Sequence, residues 1–255
     1  MQTLQKRRDA MVPNITDSVY LAPCDALTFK ALYSAFTSPQ DITGEFTASP
    51  GEYMRRVDPN CYPDESKSSI SRDGIIMVLH DIWTKQDYAG LVELIDFAED
   101  NNFNIGEGPF DLINVAPLYP VMLDMKWTME VNLELTSTKG LYLLGMDIGD
   151  LIDKQLTGFR GHLLLSYILL AGRVDGEIGN IKLGILEDLV DKNPNNPFML
   201  SVFHRFTDGI QTKAITILND DFPTADIIYD DGYRTWGSSP YNVMFCVIVG
   251  ILEGK

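Results

Sequence analysis

The sequence predicts an all-α fold, and three observations predict it. Apolar runs without a polar stripe, at residues 75–83 and 163–170, mark helices buried on every side. After a short polar link each is followed by a run with a single apolar face, so the two kinds alternate along the chain. Helix start signals stand before the apolar runs, as in Ser71-Arg72-Asp73, Asn196-Pro197 and Ser239-Pro240. An inner layer this apolar needs helical neighbours all round. It therefore fits a toroid-like or part-toroid array of helical hairpins, inner helices apolar and outer ones amphipathic, ahead of another all-α bundle or an α+β arrangement.

Taken in order, residues 1–70 read as a lead-in and a long loop packed on the domain that follows, 71–255. A helix is expected over 26–36, between Pro23-Cys24-Asp25 and Ser38-Pro39. Residues 41–67 are rich in Pro, Gly, Ser and Asp yet carry Tyr53, Tyr62, Arg55 and Arg56, which suits a functional loop folded over a face better than a plain linker. The first hairpin has 75–83 inside and 88–101 outside, with Leu91, Val92, Ile95 and Ala98 on one face. Gly106-Glu107-Gly108-Pro109 opens another inner segment, 112–127, which Pro117 and Pro120 must kink or break. Residues 131–138 alternate in part and read as extended; 140–155 give a weak helical pattern. The hairpin pattern returns with 163–170 inside and 181–192 outside. Asn196 caps, and Pro197 begins, an inner helix over 198–206. Residues 210–218 form its outer partner, and 243–252 the last inner helix.

The net charge of −16 repels phosphate backbones and anionic membranes, which excludes general nucleic-acid binding. Cys24, Cys61 and Cys246 are odd in number and far apart, so neither a disulfide framework nor a zinc site is expected. No apolar run approaches the ~20 residues of a membrane span and no signal peptide is read, so a soluble protein made in a cytoplasm is expected. Nucleotide, serine-elbow and zinc-protease motifs are missing, and no cofactor or metal is expected. Oligomeric state is not legible.

Polar residues collect where the inner helices start: Arg72 and Asp73; Glu107; Arg160 and His162; Asn195 and Asn196; Tyr233, Arg234, Trp236 and Tyr241. Helix starts carry positive partial charge and suit developing negative charge. Asp73 and Glu107 are the carboxylate pair a glycoside hydrolase requires. A polysaccharide lyase would use His162 or Tyr241 to move the proton, with Arg160 or Arg234 neutralising a uronate carboxylate. Arg72 and Asn196 would hold hydroxyls or anions, and Tyr233 and Trp236 would stack on sugar faces. Against these stand plainer roles: Asp73 complementing a helix dipole, Arg72 paired with an acid, and His162 a structural residue. His80 and His204 read as satisfied core histidines.

The stretch Ser69-Ile70-Ser71-Arg72-Asp73, with the apolar helix and Trp83 behind it, resembles the inner-helix starts of α/α-toroid carbohydrate-active enzymes such as unsaturated glucuronyl hydrolases. That resemblance implies Asp73 as a catalytic acid/base and Trp236 as a sugar platform. Gly161-His162-Leu163-Leu164, Asn193-Pro194-Asn195-Asn196 and Tyr233-Arg234-Thr235-Trp236 look more like an uncharacterised family of phage-borne proteins, which implies a phage-derived, virion-associated role. The sequence offers five inner helices against the six of a complete toroid. The expectation is a glycan-active enzyme, hydrolase or lyase, acting on a polysaccharide or oligosaccharide. The alternative is a non-catalytic acidic interaction protein, a virion component or an inhibitor of a host factor.

Overall fold

A computed structural model describes residues 1–15, 26–54, 70–106, 112–131, 158–207, 211–220 and 238–254. These residues are mostly helical: α1 (Gln2–Ile15), α2 (Ala26–Phe36), α3 (Thr43–Phe46), α4 (Arg72–Lys85), α5 (Tyr88–Asp100), α6 (Tyr119–Val131), α7 (Gly158–Asp175), α8 (Asn180–Lys192), α9 (Pro197–Phe206), α10 (Gln211–Asp220) and α11 (Ser238–Leu252). Two short antiparallel pairs join them, β1 (Thr47–Ser49) with β2 (Glu52–Tyr53) and β3 (Asn104–Ile105) with β4 (Ile113–Asn114).

Local chemistry fixes where the helices begin and end. Ser71 is extended, and its Oγ accepts the Gly74 N–H at 3.2 Å, satisfying one donor that the first turn of α4 leaves over. Gln86, at φ 54°, stops α4 in the left-handed region, and Asp87 then caps α5 by accepting the Gly90 N–H at 3.0 Å. Asn196 Oδ1 accepts from the N–H groups of Phe198 and Met199 at 3.0 and 3.1 Å, with Pro197 at the first helical position, as the sequence predicts.

Five helices, α2, α4, α7, α9 and α11, form a closed series. Each packs on the next, and α11 packs back on α2. They run parallel, as contacts at their two ends show. Thr28 of α2 lies beside Gly74 of α4 near the starts, and the Thr84 hydroxyl contacts the Ala35 carbonyl at 3.1 Å near the ends. Between α4 and α7, Asp73 neighbours His162, and His80 Nε2 is 3.1 Å from the Ser166 carbonyl. The His162 and Phe198 rings are 6.0 Å apart at the starts of α7 and α9, and Gly172 lies against the Phe206 ring at their ends. Residues 75–79, 163–171 and 243–249 are buried throughout, as expected of helices with neighbours on every side.

The amphipathic helices cover this series from outside. α5 packs on α4, α8 on α7 and α9, α10 on α9, and α1 on α11 and α10. On α5, Leu91, Leu94, Ile95 and Ala98 are buried while Glu93, Asp96, Glu99 and Asp100 face water. Lys182 of α8 and Asp175 at the end of α7 form an ion pair at 3.7 Å, with side chains 4% and 5% exposed. Removing one member of a buried pair strands the other charge in a desolvated place. Lys182→Met is therefore expected to cost about 3 kcal/mol in urea unfolding, and the double change with Asp175→Asn to recover most of it.

Several expectations change. The lead-in contains α1, a helix not expected from the sequence, and α1 and α2 contribute Leu4, Leu27, Phe29 and Phe36 to the same core as the later helices. The stretch 41–54 is a short helix and hairpin, not one open loop: Phe46 and Tyr53 are buried, and Gly51, at φ +76°, turns tightly against the Glu93 carbonyl of α5. The expected inner segment 112–127 does not start as a helix at 112. Residues 113–114 are strand, Pro117 sits in a 3-10 turn, and α6 starts at Tyr119 with Pro120 in its first turn. α6 buries one stripe, Val121, Met122 and Met125, and leaves Trp127 half exposed, so it is not apolar all round. The readings at 132–157 lie outside the described residues.

Candidate functional site

The parallel run of the five helices gathers their starts at one end, where a buried polar group lies. Asp73 is the second residue of α4 and is 5% exposed; its Oδ1 has no hydrogen-bond partner among the described residues. His162, in the first turns of α7, is 1% exposed and neighbours Asp73. Burial pulls the imidazole down to about 4, with the Asp73 charge working in the other direction. His162 is thus neutral at physiological pH and able to accept a proton.

Two further helix starts adjoin this pair. Asn196 caps α9 and is 2% exposed; its Oδ1 is used by the cap, and its Nδ2 has no hydrogen-bond partner among the described residues. Phe198, two residues on, carries the ring that faces His162. Thr28, near the start of α2, is buried; its Oγ1 has no partner among the described residues and lies 3.6 Å from where a Cβ on Gly74 would sit. Buried polar atoms are nearly always paired, so three unpartnered ones near adjoining helix starts are unusual. They supply donor and acceptor capacity for a polar group brought to that end.

Of the residues singled out from sequence, Asp73 and His162 come together, with Asn196 at the adjoining start of α9. Arg72 is exposed at the start of α4, and among the described residues it makes no ion pair. Arg160 and Tyr241 lie in the first turns of α7 and α11, but their side chains are outside the described residues, as are Glu107, Tyr233, Arg234 and Trp236 entirely. Thr28 was missed. Its signal, a lone hydroxyl in the first turn of the apolar run Ala26–Phe36, is the kind that core threonines also give.

His80 is buried and bonded, as a core histidine should be. The Ser166 carbonyl only accepts and the Arg173 guanidinium only donates, so His80 carries its proton on Nε2 and accepts at Nδ1. Cys246 is a buried free thiol pushed up to about 12 by burial. Among the described residues no helix is long and apolar enough to cross a membrane, and no group of three or more His, Cys, Asp or Glu is placed to hold a metal ion. No family model, curated protein or solved structure matches the chain.

Proposed function

We propose that the five parallel helices are the inner ring of a small α/α toroid. We further propose that the chain is a glycan-active enzyme whose acid–base pair is Asp73 and His162. The observation that carries the reading is their meeting, from separate helices, at the end where the starts gather, with His162 held neutral. A neutral imidazole has a free lone pair to take a proton, while hydrolysis calls for a second carboxylate that the described residues do not place beside Asp73, and this favours elimination over hydrolysis. In that reaction His162 removes the proton on the carbon beside a uronate carboxylate. A carbon–carbon double bond forms, the glycosidic carbon–oxygen bond breaks, and the departing oxygen takes up a proton from water, His162 later releasing its own to solvent. Asp73 balances the charge that His162 gains, and the free Asn196 amide supports the uronate carboxylate.

The test is activity on neutral and uronate-containing polysaccharides, following reducing ends and the ultraviolet absorbance of new double bonds. His162→Gln and Asp73→Asn, shown to be folded by circular dichroism, are expected to lower turnover by about a hundredfold or more. New reducing ends without double bonds would make the enzyme a hydrolase and return Glu107 to the role of second carboxylate. No cleavage of any substrate would make the pair an internal tie between α4 and α7.

The exposed acids of α5 and α8 favour a second reading, an interaction protein that presents an acidic face to a basic partner. Binding to such a partner that collapses on reversing Glu93, Asp96 and Glu187, in a chain without glycan activity, would establish it.

A further inference from the structure

The opposite end of the same helices holds a second group of polar side chains. Arg173 lies in the last turn of α7 and Arg205 in that of α9, and the packing of Phe206 on Gly172 brings these two turns together. Arg173 is firmly oriented. Its Nη1 donates to His80 Nδ1 at 3.0 Å, its Nη2 donates to the Thr84 hydroxyl at 2.7 Å, and its guanidinium carbon is 4.5 Å from the centre of the Phe36 ring. All of these partners are neutral. Among the described residues neither arginine pairs with a carboxylate, and Arg205 has no hydrogen-bond partner.

That is unexpected in a chain with 36 acidic side chains against 20 basic ones. Burial and the neighbouring Arg205 charge pull Arg173 down to about 10, so the fold holds two like charges close together at a cost. The carbonyls at a helix end offset part of one cation's charge. They account neither for the fixed pose of Arg173 on His80 and Thr84 nor for a bare Arg205 beside it. Both arginines are partly exposed and Thr84 is exposed, so the group borders solvent.

We propose that Arg173 and Arg205 form a binding site for a phosphate-class dianion. Thr84 positions Arg173: its hydroxyl oxygen accepts from Arg173 while its own proton goes to the His80 and Ala35 carbonyls. Two guanidinium forks match the charge and tetrahedral oxygens of such a group better than they match a single carboxylate. The site is independent of the Asp73–His162 pair, lying at the other end of α4 and α7.

The test is the thermal midpoint and calorimetric titration of the full chain with inorganic phosphate, and separately with phenyl phosphate, at constant ionic strength set by chloride. A saturable rise in the midpoint is expected with at least one of them. Arg205→Gln is expected to weaken binding by about tenfold or more while leaving the ligand-free midpoint unchanged or higher, because it removes repulsion and no bond. Tighter binding of phenyl phosphate would assign a phosphomonoester, and binding of phosphate alone the free ion. No saturable shift with either, or an Arg205→Gln protein that loses ligand-free stability and binds phosphate as before, would overturn the proposal.

Discussion

Lowering the pH from 6.5 to about 4 is expected to remove on the order of 3 kcal/mol of stability through His162 alone. In the unfolded chain this imidazole takes up a proton near its ordinary 6.5, whereas in the fold burial delays uptake until about 4. Between those values the unfolded state binds more protons, so stability falls as pH falls across the window and is fully present above it. His80, held well below its ordinary value by burial and by Arg173, acts in the same direction. Asp81, raised by burial in spite of Lys85, acts in the opposite one, since the folded state then takes the proton more readily. The measurement is the urea midpoint as a function of pH. His162→Gln should flatten the profile, and Asp73→Asn should steepen it by removing the one charge that helps His162 hold a proton. A wild-type midpoint no more sensitive than that of His162→Gln between pH 6.5 and 4 would refute the account.

The second large effect is steric. Gly250 of α11 faces the Phe36 carbonyl of α2, and a Cβ there would come within 3.0 Å of that oxygen, closer than real Cβ atoms approach. The obstacle is backbone at the end of a packed helix, which no rotamer change relieves. Gly250→Ala gains about 1 kcal/mol of helix propensity, yet must push α11 from α2, at an expected net loss of about 3 kcal/mol. Gly184 is the internal comparison. It lies within α8 with nothing within 4 Å of its Cβ position, so Gly184→Ala keeps only the propensity gain and should stabilise by about 0.5–1 kcal/mol. Urea unfolding of the two variants side by side decides it. Equal effects would mean that the α11–α2 contact is loose.

Helices with strong periodicity were legible to within a few residues. The reading of 26–36 coincides with α2, 88–101 with α5 to one residue, and 181–192 with α8 to one residue. The caps at Ser71 and Asn196 were legible because an oxygen-bearing side chain two or three residues ahead of free N–H groups has one dominant use. α1 was not. Its Lys6-Arg7-Arg8 run has no wide apolar stripe, and it docks by Leu4 in the core and by Arg8 and Gln5 on Glu253, contacts that no local pattern announces. The start of α6 was misplaced because apolar residues at 112–115 were counted as helix when a strand pair and a 3-10 turn use them. As for the candidate site, the sequence named Asp73 and His162 for their place at helix starts. It could not tell that they meet, since that depends on how α4 packs on α7, nor that burial sets the imidazole's charge state.

The contact between α11 and α2 also bears on how the chain acquires its fold. During synthesis from the N-terminus, α2 is made long before the helix that covers it, so the face holding Tyr33 and Phe36 waits for residues 243–252. Contacts this distant in sequence form late and slowly. Nascent chains that stop before α11 should therefore stick to chaperones or aggregate, and emergence of α11 should bring protease resistance to the whole series at once.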